Sequence, residues 1–411
     1  MIRKNNLFGL YIHIPFCVQK CRYCDFLSFP AGEDEKADYV TLLCEELEKR
    51  STCFSDHSIA TVYVGGGTPS CLSAEQMNHI FEKVKACYRL QEEAEVTVEV
   101  NPGTVEGEKL LAYRNMGINR LSIGLQSTHD SLLKTLGRIH TLEDFLHTYH
   151  GARKAGFDNI SVDLMSALPG QNKEMLQNTL EQVIALQPEH ISCYSLIVEE
   201  GTPFYRMRDQ MCFPDEEEDR EMYEMTGRML TEAGYRRYEI SNYAKEGKTS
   251  VHNSSYWKRV PYLGVGLGAS SFIEEHRFSN PSSMPEYRQM VAAGLGTSVV
   301  QDSEDASRKS CGGDVCGIEK PQIWKMADSD TVTALSKEDC MEEFMFLGLR
   351  MMEGVSEAEF MDCFGESVDR VYGDVLSELV RDKLLVREDG RIFLTGYGID
   401  VSNYVFEKFL F

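Results

Sequence analysis

The N-terminal half of the chain repeats one pattern, in which a short apolar run rich in β-forming residues is followed by a loop and then by a helical stretch. Alternating strands and helices predict parallel β-structure with right-handed crossovers. We therefore predict an α/β fold, an incomplete TIM-type barrel of six β/α units. The predicted strands are Phe8–Ile14, Thr61–Gly65, Glu95–Asn101, Arg120–Gly124, Asn159–Leu164 and His190–Ile197. The predicted helices are Glu33–Cys53, Ser73–Tyr88, Thr141–Ala155, Lys173–Leu186 and Glu216–Ala233.

Three cysteines follow the first predicted strand at C-x3-C-x2-C spacing: Cys17, Cys21 and Cys24. Thiolates are the usual protein ligands of iron–sulfur clusters, so this spacing predicts a [4Fe-4S] cluster whose fourth iron stays open to a small molecule. Zinc and a disulfide are the alternatives. A zinc site would need a fourth ligand, which no nearby second pair supplies, and a disulfide would leave one thiol over.

Composition sets limits on the class of protein. The hydrophobic fraction of 42% fits a soluble globular chain, and 411 residues suit one barrel plus a second domain. The net charge of −23 argues against nucleic acid or an anionic membrane as the main partner. No apolar run reaches the roughly 20 residues of a membrane span. Thirteen cysteines without a secretion signal predict a reducing, cytoplasmic location.

The residues around the cysteines, YIHIPFCVQKCRYCDF from Tyr11 to Phe26, resemble the motif of radical S-adenosylmethionine (radical SAM) proteins. More narrowly, the chain resembles the oxygen-independent coproporphyrinogen III oxidase-like family and its haem chaperone branch. The resemblance runs from Leu10 to the C-terminal tail and is weakest over residues 301–333. It implies three bound groups, namely a [4Fe-4S] cluster, S-adenosylmethionine and haem.

The resemblance also implies contacts with S-adenosylmethionine in the first three β/α units. Gly66, Gly67 and Thr68 belong to a GGGTP loop that would meet the amino-acid end of the cofactor. Taken alone, such a loop fits a tight turn equally well. Glu99 is suited to accepting hydrogen bonds from two ribose hydroxyls, although a solvated charge at a strand end is the alternative. Two further expected contacts are Tyr11 and Tyr23.

Four further contacts are implied in the later units. Gln126 in SIGLQS, Arg138 in LGRIH and Asp163 in VDLMSALPGQ match the residue types and spacing of the family. The Arg138 guanidinium would pair with the carboxylate of the cofactor. Ile197, at the end of the sixth predicted strand, would contact the adenine, but an apolar residue there is also typical of a core.

The element HNxxYW, at residues 252–257, closely resembles the same element in the haem chaperone branch. It offers the imidazole of His252 as a haem iron ligand beside the aromatic rings of Tyr256 and Trp257. In the alternative interpretation, the histidine caps a turn and the aromatic rings fill a domain interface. Cys193 and Cys212 are alternative iron ligands.

We expect four segments along the chain. Residues 1–240 form the barrel, 241–300 a connecting segment, 301–333 a polar loop or insertion, and 334–411 a mainly helical, winged-helix-like domain. In that domain, Asp389 and Gly390 mark a hairpin. Cys311 and Cys316 lie in the polar loop, where we expect a mobile segment rather than an auxiliary site completed elsewhere.

One departure from the oxidase decides the functional hypothesis. The oxidase extends its motif to a fourth cysteine, and this chain carries Phe26 there; it also starts its first strand within ten residues of Met1. We therefore predict a haem chaperone that binds haem and transfers it to an acceptor, with a flavodoxin or ferredoxin as electron donor. The alternative is a radical SAM enzyme that acts on a tetrapyrrole, by coproporphyrinogen III decarboxylation or haem ring opening. A radical enzyme with an unrelated substrate is a third interpretation.

Overall fold

The computed structural model describes residues 7–294 and 331–411, so Cys311 and Cys316 lie outside the described residues. Six strands of the N-terminal half pair in sequence order, and every one of these pairs is parallel. The six strands are β1 Leu7–Ile14, β2 Ser58–Gly66, β3 Leu90–Val100, β4 Arg120–Gln126, β5 Ile160–Ser166 and β6 His190–Ser195. This architecture confirms the predicted α/β fold with an incomplete barrel.

Helices follow each of these strands and cover the outer face of the sheet. Several begin where the sequence places a capping box, as at Ser73 with Gln76 and at Asp215 with Glu218. The helices are α1 Glu33–Ser51, α2 Ala74–Cys87, α3 Gly107–Met116, α4 Asp130–Leu136, α5 Leu142–Lys154, α6 Lys173–Leu186, α7 Pro203–Met207 and α8 Glu216–Glu232. Short 3-10 turns occupy Pro69–Cys71 and Arg208–Gln210.

Alternate residues of the parallel strands face opposite sides of the sheet. One set is apolar and packs against the helices, as do Leu10, Val64 and Ile123, which are fully buried. The other set points into the barrel and is polar, and its side chains bond to one another across neighbouring strands. The barrel interior therefore supplies polar groups from several strands at one end, where β/α loops begin.

The sheet continues beyond residue 240, which bears on the predicted domain boundary there. Strand β9 pairs in parallel with β1, and β8 pairs antiparallel with β6. The boundary at 240 stays a prediction, but it does not coincide with an end of the sheet. The elements of this region are β7 Arg236–Arg237, β8 Asn242–Ala244, α9 Val251–Trp257, β9 Tyr262–Val265, β10 Ser270–Ile273, β11 His276–Ser279, α10 Met284–Ala293 and β12 Thr333–Ala334.

The C-terminal region has a small core of its own and a three-stranded antiparallel sheet in the order β13-β15-β14. Its elements are α11 Lys337–Gly348, β13 Val355–Ser356, α12 Glu357–Phe364, α13 Val368–Arg381, β14 Leu385–Glu388, β15 Arg391–Leu394, α14 Gly396–Asp400 and α15 Ser402–Glu407. The hairpin predicted around Asp389 and Gly390 is present between β14 and β15. None of the helices within the two described ranges combines the length and hydropathy of a membrane span.

Candidate functional site

The three cysteines lie in the loop that follows β1, which we call the cluster loop (residues 15–29). Backbone hydrogen bonds close this loop at its base, from Cys17 N–H to Phe29 O at 3.1 Å and from Phe29 N–H to Pro15 O at 2.9 Å. Its middle is held against the C-terminal end of α4, because Arg22 N–H donates to Leu136 O at 3.0 Å. The thiols are free, and all three cysteines are partly exposed.

Two of the thiols receive hydrogen bonds from residues that the sequence assigns to the cofactor site. Thr68 Oγ1 donates to Cys17 Sγ at 3.4 Å, and Arg138 Nη1 donates to Cys21 Sγ at 3.7 Å. Hydrogen bonds to sulfur stabilise the charge of thiolate ligands. Burial raises the pKa of Cys24 to about 11, so the free side chain is a thiol at neutral pH. Because iron binds the thiolate, the side chain loses this proton when it becomes a ligand.

This donor set fits an iron–sulfur cluster. In the described part of the chain, no three His, Cys, Asp or Glu side chains converge on the position of a single metal ion. Ligands of a cubane cluster bind separate irons and need not converge in that way. Gly67 also permits a close approach, since a Cβ there would lie 2.7 Å from Phe16 O and 3.1 Å from Cys17 Sγ.

The GGGTP loop is bonded to Glu99 on the neighbouring strand. Gly66 N–H donates to Glu99 Oε2 at 3.1 Å, and Tyr63 Oη donates to Glu99 Oε1 at 2.8 Å. Gly66 has a φ of 111°, and a Cβ there would lie 2.5 Å from His13 Cε1, so glycine is required. Burial raises the pKa of Glu99 to about 7. The carboxylate is therefore held by two hydrogen bonds, and its charge changes near pH 7.

Asn101 connects the loop to Arg138, a link that the sequence reasoning missed. Its Nδ2 donates to Thr68 Oγ1 at 2.7 Å, and its Oδ1 accepts from Arg138 Nη2 at 2.8 Å. Arg138 Nη2 also donates to Gly124 O at 2.6 Å. Strand periodicity could have indicated Asn101 as a site residue. It lies two residues after Glu99, so the two side chains are on the same side of the sheet.

Asp163 lies at the same end of the barrel as Glu99. Its oxygens accept from Ser122 Oγ at 2.8 Å and Ser161 Oγ at 3.0 Å, and burial raises its pKa. The register brings Glu99 opposite Ser122 and Asp163 opposite Gly124 on successive strands. Gln126 ends β4 with a φ of 69° after a register shift, an unusual conformation for a residue other than glycine.

The remaining predicted contacts divide into two groups. Tyr11 Oη bonds to His13 Nδ1 at 2.9 Å, and its ring lies 6.3 Å from that of Tyr63. Tyr23 packs against Phe204 with ring centroids 6.4 Å apart. Ile197 lies beyond the end of β6, which stops at Ser195, and is 70% exposed. The predicted strand therefore ends two residues too late, and the contact of Ile197 with the adenine stays a prediction.

His252 lies in the protein interior, and both nitrogens of its ring are bonded to protein groups. His252 is 1% exposed. Its Nδ1 bonds to Thr61 Oγ1 at 2.7 Å, and its Nε2 bonds to Tyr256 Oη at 2.8 Å. Burial, with a smaller contribution from Arg120, lowers the pKa of His252 to about 3. Both ring nitrogens therefore have protein partners, and the haem ligand assignment of the sequence analysis does not fit this geometry.

Comparison with known proteins agrees with the architecture and the cysteine motif. The "Radical SAM superfamily" profile matches residues 11–183, and the "HemN C-terminal domain" profile matches residues 335–401. The chain is similar to the "Heme chaperone HemW" of Lactococcus lactis, with 34% identity over 100% of this chain and 98% of that protein. It is also 34% identical to the "Heme chaperone HemW" of Bacillus subtilis over 97% of this chain and 98% of that protein.

A solved structure shares the fold across both parts of the chain. It is described as "Coproporphyrinogen III oxidase (HemN) from Escherichia coli is a Radical SAM enzyme", with a TM-score of 0.81 and 20% identity. The alignment covers 98% of this chain and 90% of that one. At this identity the likeness concerns the fold alone. The full-length similarity to the curated relatives is more specific, and it shows that this chain belongs to the HemW family within the radical SAM superfamily.

Proposed function

We propose that this protein is a haem chaperone, which binds haem and transfers it to an acceptor protein while carrying a [4Fe-4S] cluster and S-adenosylmethionine. The observation that carries the proposal is the similarity of the entire chain to relatives named heme chaperone HemW. A second support is Phe26, which stands where the oxidase motif has a fourth cysteine and is 63% exposed. The position offers haem an apolar surface in place of a thiol.

The proposed roles of the site follow from its contacts. Cys17, Cys21 and Cys24 bind three irons of the cluster. S-adenosylmethionine, when bound at the fourth iron, supplies a source of a 5′-deoxyadenosyl radical on reduction. Glu99 orients the ribose through its two oxygens, and Arg138 holds the carboxylate end of the cofactor. Further proposed contacts are Tyr11, Tyr23, Gly66, Gly67, Thr68, Gln126, Asp163 and Ile197.

Exposed apolar side chains lie in the cluster loop and in the loops after α4 and β6, and they support a site for an apolar ligand in this region. Val18 is 60% exposed, Phe26 63%, Ile139 55% and Ile197 70%. Gln19 Nε2 donates to Gly137 O at 3.2 Å, which holds the loops that carry Val18 and Ile139 together. Grouped exposed apolar residues commonly mark binding surfaces. We propose that haem contacts this surface.

Two further parts of the proposal concern surroundings and partners. All eleven cysteines in the described residues are free thiols, which supports a reducing, cytoplasmic location. A flavodoxin or ferredoxin is the proposed electron donor, and a haem-binding apoprotein is the proposed acceptor. The alternative function is a radical SAM enzyme acting on a tetrapyrrole. The contacts of Glu99 and Arg138 support both functions, because each of them uses S-adenosylmethionine.

A haem titration of the anaerobically reconstituted protein tests the chaperone function. We expect saturable binding by the wild type. We also expect Phe26→Asp to weaken binding about tenfold or more, since a charge replaces an apolar contact. Leu111→Asp is the matched control, because Leu111 is 54% exposed on α3, away from the cluster loop. The same preparation is assayed for decarboxylation of coproporphyrinogen III. Turnover of that substrate without saturable haem binding would overturn the proposal.

A further inference from the structure

His252 is stacked on a tyrosine of the barrel interior. Its ring lies 5.0 Å from that of Tyr63, with an angle of 21° between the planes. Thr61, two residues earlier on β2, bonds to the Nδ1 atom of His252 at 2.7 Å. One strand therefore holds the histidine twice, once through a hydrogen bond and once through a ring face.

The opposite end of Tyr63 reaches the predicted cofactor site. Its hydroxyl donates to Glu99 Oε1 at 2.8 Å. Space around this pair is tight, because a Cβ on Gly65 would lie 2.8 Å from Tyr63 Cε1 and 3.0 Å from Glu99 Oε1. Tyr63 thus lies between His252 and Glu99, and a change in the position of its ring would move the hydroxyl that orients the carboxylate.

The backbone at His252 is also held by hydrogen bonds. Glu95 on β3 accepts hydrogen bonds from Val251 N–H at 3.0 Å and from His252 N–H at 2.9 Å. On the facing strand β1, a Cβ at Gly9 would lie 3.4 Å from His252 Cε1 and 3.0 Å from Thr61 Oγ1. Glycine at this position lets the imidazole approach the sheet closely. The histidine is therefore located by β1, β2 and β3 together.

The other aromatic residues of the HNxxYW element also have partners within the protein. Tyr256 bonds to His252 and packs edge-on against Tyr262, with ring centroids 4.6 Å apart. The guanidinium of Arg350, from the C-terminal region, lies 4.3 Å from the Trp257 ring centroid. These contacts account for the positions of His252, Tyr256 and Trp257 without requiring that any of them binds haem iron.

We propose that His252 is a positioning residue of the S-adenosylmethionine site and not a haem ligand. It holds the ring of Tyr63, and Tyr63 in turn holds the Glu99 carboxylate where the ribose hydroxyls bind. This proposal rests on the proposed function in one respect, namely that S-adenosylmethionine binds beside Glu99. It assigns the histidine of the HNxxYW element to the cofactor, and it leaves haem binding to other residues.

The test is a double-mutant cycle on S-adenosylmethionine affinity, measured with the anaerobically reconstituted holoprotein. We expect His252→Ala and Tyr63→Phe each to weaken binding about tenfold, as for the loss of a hydrogen bond to a charged group. Because His252 acts through Tyr63, the double variant should bind S-adenosylmethionine no more weakly than the single variant that has the lower affinity. Independent effects would instead multiply to about 100-fold, and that result would overturn the proposal.

A haem titration of the same proteins separates this role from ligation. The affinity for haem and its absorption band should be unchanged in His252→Ala, and a lost or shifted band would contradict the proposal. Tyr256→Phe, which removes one bond to the ring, provides a milder variant if His252→Ala does not fold. The controls are Ser255→Ala on the same helix and Tyr149→Phe on the outer face.

The outcomes for the proposed function and for this inference are distinguishable. If wild-type holoprotein does not bind S-adenosylmethionine, the proposed site itself fails. If the wild type binds it and both His252→Ala and Tyr256→Phe bind it equally well, the site stands and the positioning role of His252 fails.

Discussion

Arg138 and Asn101 are joined by a hydrogen bond of 2.8 Å from Nη2 to Oδ1, which connects the loop after α4 to the end of β3. The same asparagine bonds to Thr68, and Thr68 bonds to the thiol of Cys17. A continuous set of contacts therefore runs from the cluster loop to the arginine proposed to bind the cofactor carboxylate. Asn101 is the residue that joins Thr68 to Arg138 in this set, beside the direct bond from Arg138 to Cys21.

We predict that Asn101→Ala weakens S-adenosylmethionine binding by about tenfold or more, because Arg138 and Thr68 both lose a buried partner. Calorimetric titration of the reconstituted protein measures the change, and the iron content should be unaltered. Asn119→Ala is the matched control. Asn119 bonds only to backbone atoms of Ala94 and Val96, toward the start of β3. Equal losses of affinity in the two variants would show a general effect of destabilisation.

The pKa of Glu99 predicts a pH dependence of cofactor binding. Burial raises this pKa from 4.5 to about 7, and only the ionised carboxylate accepts hydrogen bonds from two hydroxyls with both oxygens. Affinity should therefore rise as pH increases through about 7, and Glu99→Gln should abolish that rise. An identical pH profile in the variant would refute the assignment. The ionisable groups that influence Glu99 include Tyr63, Asp163 and Arg120.

The raised pKa of Glu99 affects stability in the direction opposite to its effect on cofactor binding, because it makes the folded protein less stable as pH rises. A carboxyl whose pKa is higher in the folded state binds its proton more tightly there than in the unfolded chain. Its contribution to the free energy of unfolding is present below pH 4.5 and is lost as pH rises to about 7. Denaturation of wild type and Glu99→Gln across this range measures the contribution. Stability that rises more steeply with pH in the wild type would contradict it.

Much of this site follows from the sequence for a simple physical reason. Parallel strands have their C-terminal ends at one side of a sheet, so Glu99, Arg138 and Asp163 were expected to meet there. The thiols and the GGGTP loop were placed by the same rule. Contacts between distant residues could not be read in this way. Thr61 and His252 are 191 positions apart, and only the tertiary structure shows that they bond.

His252 illustrates what residue chemistry alone cannot show about a role. An imidazole next to aromatic residues has the composition of a haem site, and nothing in the spacing shows which groups its nitrogens bind. The extent of the sheet was similarly hidden, because β9 pairs with β1 from more than 250 positions away. Long-range strand pairing depends on packing that local sequence patterns do not encode.

The cluster ligands are tested by iron content. Replacing Cys17, Cys21 or Cys24 by Ala should reduce iron from about four per chain to near zero, since a cubane loses one of its three protein ligands. Cys71 is the matched control, because it is a partly exposed thiol in the turn directly after the GGGTP loop. We expect Cys71→Ala to retain its iron. Full retention in the triple cysteine variant would contradict the assignment.

A buried ion pair within α1 is also bonded to α10. Glu46 and Arg50 are both fully buried and bond at 2.7 Å, and Glu46 also accepts from Tyr287 Oη at 2.7 Å. Glu46→Ala should lower the free energy of unfolding by about 3–5 kcal/mol, because it removes the carboxylate that balances the buried charge of Arg50. The exposed residue Glu48, which pairs with Lys83, is the control, and Glu48→Ala should not change stability measurably.

The most direct test of the chaperone function follows haem from the loaded protein to an acceptor. The reconstituted, haem-loaded protein is mixed anaerobically with S-adenosylmethionine, a reductant and an apo-globin, and both the haem spectrum and nucleoside products are measured. We predict that haem is recovered intact on the globin, at a rate that increases with globin concentration. Loss of the haem spectrum together with stoichiometric 5′-deoxyadenosine would show that haem is a substrate, and would contradict the account.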